Sequence, residues 1–375
     1  MTAVDDPLYF EPSREVAGYW GPSRHLNHKG VPRRGFCAGP LPPTYSVSTK
    51  AWCSSSMPKL SIGIPVFNGE EFLPELLDSL LAQTFRDFEI VICDNASSDC
   101  TPQICGEYAS RDARIRYFRN DTNLGAIPNY NRTFELSTAP LFKWAAHDDL
   151  YHEVYLDACV KLLDENPDII LAHTGGAFID EQSEFLPFEQ ETGSFIDPKT
   201  GKRYWADVPS IGDTPVAINR FWQVLTRARW GTHMFGVVRR EILQQTSLLP
   251  NFAGSDRAML AELALLGRFR CANERLFLKR LHANVSWALD QNQLKGFLST
   301  DGKRYSRRLR QIEAYFGAPR GKPIGVVSKS VCFMLVAAHS AKTTIQLIGQ
   351  NDPRRAAHGY GWPGALRPRL RRRTP

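Results

Sequence analysis

LFKWAAHDD, residues 141–149, is an apolar run of strand length that stops at a histidine and two adjacent acids. Carboxylates at the C-terminal end of a buried strand stand where open α/β sheets bind ligands. Asp148 and Asp149 repel each other unless a cation or a hydrogen-bonding ligand uses them. A divalent metal carrying a diphosphate would satisfy both, because hard cations take carboxylate oxygens together with substrate phosphates. The competing reading is a helix N-terminus, in which one of the two acids merely caps a helix beginning near Tyr151. The flanking sequence favours the first.

Upstream, residues 60–67 form an apolar run closed by Asn68-Gly69, a turn signal. Phe72, Leu73, Leu76, Leu77, Leu80 and Leu81 then recur at the spacing of an amphipathic helix. FEIVIC, residues 88–93, reads as a second buried strand, followed by a polar loop over 94–99. Thr101-Pro102 places a capping residue before a proline at the first helical position, predicting a helix to about residue 110. A short strand at 115–119, a break at Asn123-Leu124-Gly125 and a helix over 127–136 lead to the strand at 141–146. Beyond the acids a helix over 151–165 and a strand over 169–173 are expected. Strands and helices alternating at this spacing imply right-handed crossovers and a mostly parallel sheet. Residues 178–230, with many Pro, Gly and aromatic residues, read as an irregular insertion. SDRAMLAELALL, residues 255–266, restores helical periodicity, and further helices are expected beyond residue 299.

Composition bounds the rest. The 375 residues, 43% hydrophobic, can bury one large core or two modest ones. The net charge of +7 is matched by seven arginines and no acid in the segment 353–375. The body is therefore close to neutral, a poor electrostatic footprint for nucleic acid. The Arg-rich tail reads as a disordered, solubilising end, with peripheral contact to anionic lipid as its other use. Eight cysteines without a CxxC pair point to free thiols in a reducing compartment. No apolar run reaches the roughly 18 residues of a membrane span, and Asp5, Asp6 and Glu11 interrupt any leader. A cytoplasmic protein is expected, at most peripheral at the inner face of the membrane.

Three loops leave the same edge of such a sheet. The first offers Pro65, Phe67 and Asn68, with Phe67 suited to stack on a flat base. The second offers Asp94, an acceptor for a nucleobase N–H or a ribose hydroxyl. The third offers Asp148 and Asp149 for ribose and metal. Taken singly, Asp94 could only close an Asx-turn and Asn68-Gly69 could only be a turn. Their joint occurrence at successive strand ends argues for one crevice holding base, sugar, metal and diphosphate in order.

The succession IGIPVFNGEEFLPELLDSLLAQTF, FEIVICDNASSDCT, NLGAIPNYNRTFE and FKWAAHDDLYHEVYLD resembles the nucleotide-sugar half of family-two glycosyltransferases, over residues 60–173. The resemblance implies an α/β, GT-A type fold: a Rossmann-like, mostly parallel central sheet flanked by helices, with a helical C-terminal part. It implies a nucleotide-diphosphate sugar donor, a hydroxyl acceptor that the sequence does not identify, and a divalent cation, Mn²⁺ or Mg²⁺. Position by position, Asp94 resembles the base-contacting acid, Asp148 the ribose-contacting member of the DxD motif, and Asp149 its metal-binding member. The chain departs from the family pattern at His147, where the motif often begins with an acid, and at Asn95-Ala96, where Asp-Gly is common. The expected organisation is a disordered extension over 1–56 and a transferase domain over 57–298, divided at 175 into nucleotide-sugar and acceptor halves. C-terminal helices over 299–352 and the tail over 353–375 complete it.

The second half is less specific. AGSDR, residues 253–257, resembles the family's acid motif, which makes Asp256 the catalytic base of an inverting, single-displacement transfer; an aspartate of ordinary acidity is ionised at neutral pH. The alternative is that Ser255 or Asp256 simply caps the helix. Arg280-Leu281-His282 would bring His282 to the metal or the diphosphate, as a late histidine does in some GT-A enzymes. His233 either lines the acceptor pocket or packs. A non-catalytic nucleotide-sugar-binding or scaffold protein on the same fold is the second reading, and the intact acids weigh against it. An NAD-dependent oxidoreductase is disfavoured because FNGEEF lacks G-x-G-x-x-G.

Overall fold

The computed structural model describes residues 57–207, 209–228, 231–283 and 307–350. The expected extension over 1–56 and the tail over 353–375 lie outside the described residues. Strand β1 (Leu60–Val66) pairs in parallel with β2 (Phe88–Asp94) on one side and β4 (Leu141–Trp144) on the other. β3 (Ile115–Arg119) extends the parallel set beyond β2. The short β10 (Val237–Arg239) runs antiparallel between β4 and β6 (Ile169–Ile179). β11 (Arg268–Arg280) lies parallel to β6, and the two-residue β5 (Leu150–Tyr151) closes the edge antiparallel to β11. The sheet order is β3-β2-β1-β4-β10-β6-β11-β5. This is the mixed α/β sheet, with mostly parallel strands, that the sequence implies.

The helical stripe does what its spacing predicts. In α1 (Leu73–Leu81), Leu73, Leu76, Leu77 and Leu80 are all fully buried against the sheet, each contributing about 1.5–3 kcal/mol of apolar transfer. α2 (Thr101–Arg111) begins one residue earlier than expected, with Cys100 at the cap position and Pro102 in the first turn. Asp99 Oδ1 accepts from the Thr101 amide at 3.0 Å and satisfies one of the amides that the helix leaves open. α3 (Ala126–Glu135) packs on β1 and β2, and α4 (Tyr155–Glu165) on β6 and β11.

Three expectations are corrected. The helix expected from Tyr151 begins at Tyr155, because Leu150 and Tyr151 are taken up by pairing with Leu278 and Phe277; no helix follows Asp149 directly, so neither acid caps one. The strand expected to end at residue 173 runs to Ile179, since β11 pairs with it along its length through three register irregularities. The insertion after residue 178 forms regular elements in its described residues. It holds a three-stranded antiparallel sheet of β7 (Phe188–Glu189), β8 (Ser194–Ile196) and β9 (Arg203–Tyr204), then α5 (Ala217–Arg227). Short strands carry too few residues for a period to register.

After the small α6 (Arg240–Leu243), α7 (Ser255–Leu266) matches its expected bounds and packs against α5. α8 (Arg307–Gly317) and α9 (Val326–Gln350) pack on α7 and α5 respectively. No described helix is long and apolar enough to cross a membrane. Cys93, Cys105, Cys159, Cys271 and Cys332 are free.

Lys143 is the unexpected member of the core. It is fully buried in β4, with its ammonium 3.6 Å from the centre of the Tyr151 ring and donating to Trp144 O at 3.1 Å. Burial lowers its pKa to about 7, against the opposing charges of Cys159 and Asp149. A lysine whose folded pKa is depressed costs stability below that value, and the cost fades as pH rises toward the unfolded pKa near 10.5. The cost, on the order of a few kcal/mol, exceeds the ~2 kcal/mol of a desolvated cation–π contact. Lys143→Met is therefore expected to raise the thermal midpoint at pH 7 and to lose most of that advantage by pH 10. An equal effect at both pH values would show that the ammonium is not the cause.

Candidate active site

Asp148 and Asp149 leave the end of β4 at the centre of the sheet, and β5 and β11 lock them in place. The Arg280 amide donates to Asp149 Oδ1 at 3.0 Å. The Arg280 side chain is fully buried: Nε donates to Asp148 O at 2.8 Å, Nη1 to Ser183 Oγ at 2.9 Å and Nη2 to Glu75 Oε2 at 2.7 Å. Its guanidinium also lies 4.7 Å from the centre of the Phe72 ring. One buried arginine thus ties the acid loop to α1 and to the turn after β6. The rigid fork of five donors explains why arginine serves here.

His282 Nε2 is 2.9 Å from Asp148 Oδ2, and its ring packs 5.0 Å from that of Phe72. Burial works against the Asp148 charge, but the His282 bond and the nearby His147 and Lys279 outweigh it and hold this carboxyl below the usual range. Asp149 is shifted the other way. Burial raises it, Lys279 opposes, and the charge of Asp148 adds to the rise. Asp149 Oδ2 is buried without a hydrogen bond, and the Lys279 ammonium lies 3.9 Å from it. An orphaned carboxylate oxygen beside a second acid fits a hard cation. Among the described residues no three His, Cys, Asp or Glu side chains form a metal-holding group. The acids are a partial shell, of the kind Mg²⁺ completes with water and substrate phosphates.

The loops after β1 and β2 meet the acid loop. Phe67 is 43% exposed, as a stacking platform must be, whereas Pro65 is buried within β1 opposite Cys93. Asn68 has φ +49° and bridges the loops: its amide donates to Ser97 Oγ, and its Oδ1 accepts from the Ser98 amide, both at 2.9 Å. Gly69 packs directly on the acid loop, since a methyl there would fall 2.9 Å from His147 Cδ2. Asp94 is fully buried. It accepts from the Ser97 amide at 2.9 Å, from the Tyr117 hydroxyl at 2.8 Å and from Arg119 Nε at 3.2 Å. In this arrangement its carboxylate holds the loop 94–99. Asn95 is likewise inward, bonded to Asn120, Asn123, Leu124 and Gly125, and Ala96 takes φ +61°. The chain thus keeps a left-handed turn where glycine would sit without strain.

Asp256 stands in the first turn of α7, after the left-handed Gly254, where a helix N-terminus favours the ionised acid. A methyl at Gly231 (φ +65°) would fall 1.9 Å from Asp256 Oδ2, so Asp256 lies directly on the turn 231–236. Asp207 of the insertion anchors that turn by accepting from Thr232 N and Oγ1 at 2.9 and 2.8 Å. His233 is 2% exposed and lies edge-on to His173 at 4.4 Å, so it packs and does not line a pocket. Burial, then the charges of Asp148, Asp149 and Asp256, push the phenol of Tyr130 in α3 up. A cavity of about 250 Å³ opens beside His282, lined also by Asp180, Glu181 and Tyr204. A larger one of about 410 Å³, between Ile127, Asn131 and Leu249, contains none of the site acids. Sequence reasoning missed Tyr130, Lys279 and the buried bonding of Arg280. Only the position of Arg280 beside His282 hinted at any of them.

The glycosyl transferase family 2 profile matches residues 61–221. These residues form a family-2 glycosyltransferase domain. The match includes Pro65, Phe67, Asn68, Asp94, Asp148 and Asp149 and stops short of Asp256, Lys279 and His282. An uncharacterized glycosyltransferase of Rickettsia typhi is 32% identical over 133 residues, 35% of this chain and 40% of that protein. The putative glycosyltransferase EpsE of Bacillus subtilis is 30% identical over 144 residues, 37% of this chain and 52% of its own length. The chain thus spans about half or less of these relatives. Among solved structures, TarS 1–349 of S. aureus superposes with TM-score 0.53 at 14% identity, covering 79% of this chain and 75% of that one. The same protein with UDP-GlcNAc gives 0.52 at 15%, over 76% and 73%. The glycosyltransferase domain therefore has the GT-A type fold that the sequence implied.

Proposed function

We propose that this chain transfers a glycosyl unit from a nucleotide-diphosphate sugar to an acceptor hydroxyl, by inverting single displacement. The observation that carries this reading is the acid pair at the end of β4, with one Asp149 oxygen left without a hydrogen bond. Phe67 and Asn68 would meet the base, with Pro65 backing them from the strand. Asp94 shapes the base end of the cleft, and its direct contact with a base requires Arg119, 42% exposed, to yield it. Asp148 would take the ribose. Asp149, joined by His282 through Asp148, would hold Mn²⁺ or Mg²⁺, which when bound offsets charge on the departing diphosphate. Asp256 would accept the proton of the acceptor hydroxyl as the sugar carbon is attacked. The TarS structures with UDP and UDP-GlcNAc support a nucleotide sugar as the donor class.

Calorimetry of the full chain with UDP, GDP and dTDP, each with and without Mn²⁺, tests the donor site. One nucleotide is expected to bind, more tightly with the metal. Folded protein that binds none of the three would remove the transferase reading and leave a scaffold on this fold.

A further inference from the structure

The Asp149 carboxylate has two sides with different partners. Oδ1 accepts from the Arg280 amide, whereas Oδ2 takes no hydrogen bond and faces the Lys279 ammonium at 3.9 Å. That distance is an ion pair and too long for a hydrogen bond. Lys279 is the penultimate residue of β11, has a side chain 17% exposed, and brings its ammonium within 5.7 Å of the centre of the Phe235 ring. The neighbouring cations are committed elsewhere. Arg280 is fully buried on Asp148 O, Ser183 and Glu75, and His282 is bonded to Asp148. Lys279 combines a point charge, a flexible four-carbon stem and access to solvent at the one carboxylate suited to carry the metal.

We propose that Lys279 is a built-in cation of the donor site, pairing with Asp149 in the unliganded chain and turning onto the diphosphate of the bound donor. The inference rests on the donor reading above. A nucleoside diphosphate carries more negative charge than one divalent ion cancels. A preorganised ammonium beside that ion therefore stabilises the leaving group as charge builds on it. The same ammonium repels a divalent ion approaching Asp149, so lysine and metal compete for this carboxylate before the donor arrives.

The test is calorimetry on full-length wild type, Lys279→Met and Lys279→Arg with UDP, GDP or dTDP (whichever the wild type binds), the matching nucleoside, and Mn²⁺ alone. Without a divalent ion, Lys279→Met is expected to bind the diphosphate about tenfold or more weakly, the loss of one charge-assisted hydrogen bond. It should bind the phosphate-free nucleoside as the wild type does, and Mn²⁺ alone more tightly. Lys279→Arg should recover most of the diphosphate affinity. Equal diphosphate affinity in wild type and Lys279→Met overturns the proposal. So does a loss in Lys279→Arg as large as in Lys279→Met, or an equal loss for the nucleoside. A wild type that binds no nucleoside diphosphate overturns the donor reading, and the proposal falls with it.

Discussion

Asp149→Asn is expected to lower glycosyl transfer by about a hundredfold to a thousandfold while leaving the protein at least as stable as the wild type. The two effects have one cause. Asp149 is fully buried, and burial raises its pKa, so the folded chain bears a cost for holding that carboxylate ionised at neutral pH. The amide oxygen of asparagine can still accept from the Arg280 amide, which now meets Asp149 Oδ1 at 3.0 Å, so the acid loop keeps its shape. What disappears is the charge that would hold a divalent cation, and a lost electrostatic contact of this kind costs about 3–4 kcal/mol in the transition state. Because the folded pKa is raised, the cost of Asp149 grows as pH climbs above the ordinary carboxylate value. The stability gain of Asp149→Asn should therefore be larger at pH 8 than at pH 5. Melting curves at both pH values, with a donor-consumption assay, check both parts; full activity in the variant would sink the metal assignment.

Asp256→Asn is the second large effect. Loss of the proposed base is expected to lower kcat by about a hundredfold to ten-thousandfold with little change in donor affinity, since Asp256 lies on the turn 231–236. Steady-state kinetics against calorimetric donor binding separates the two terms. A variant that loses donor affinity as much as kcat would make Asp256 part of the donor pocket, and one that loses neither would leave it a helix cap.

Residues 60–173 were legible because their signals are local. Leu73, Leu76, Leu77 and Leu80 lie one helical turn apart, so their spacing alone predicts the buried stripe. The strands before Asn68, Asp94 and His147 are apolar runs bounded by turn residues, and the sheet brings their ends together as parallel topology requires. The other half is built from long-range pairing. β5 has two residues and β10 three, and neither has a period to read. β11 carries Arg268, Arg270, Arg275 and Arg280 and reads as polar, yet it pairs along the whole of β6.

By itself the sequence determined the βα rhythm from Leu60 to Glu135, the family it resembles, and the acids Asp148, Asp149 and Asp256 as the residues to test. The tertiary structure alone decided that Asp149 is buried while Asp148 is part-exposed. It also decided that Asp94 is turned inward onto Tyr117 and Arg119, and that Lys279 and Arg280 face the acid pair from 130 residues away. The division has a physical reason. Periodicity and turn chemistry act over a few residues, and composition preserves them in the chain. Which carboxylate is desolvated, and which cation stands opposite it, depends on strands that meet only when β11 closes on β5 and β6.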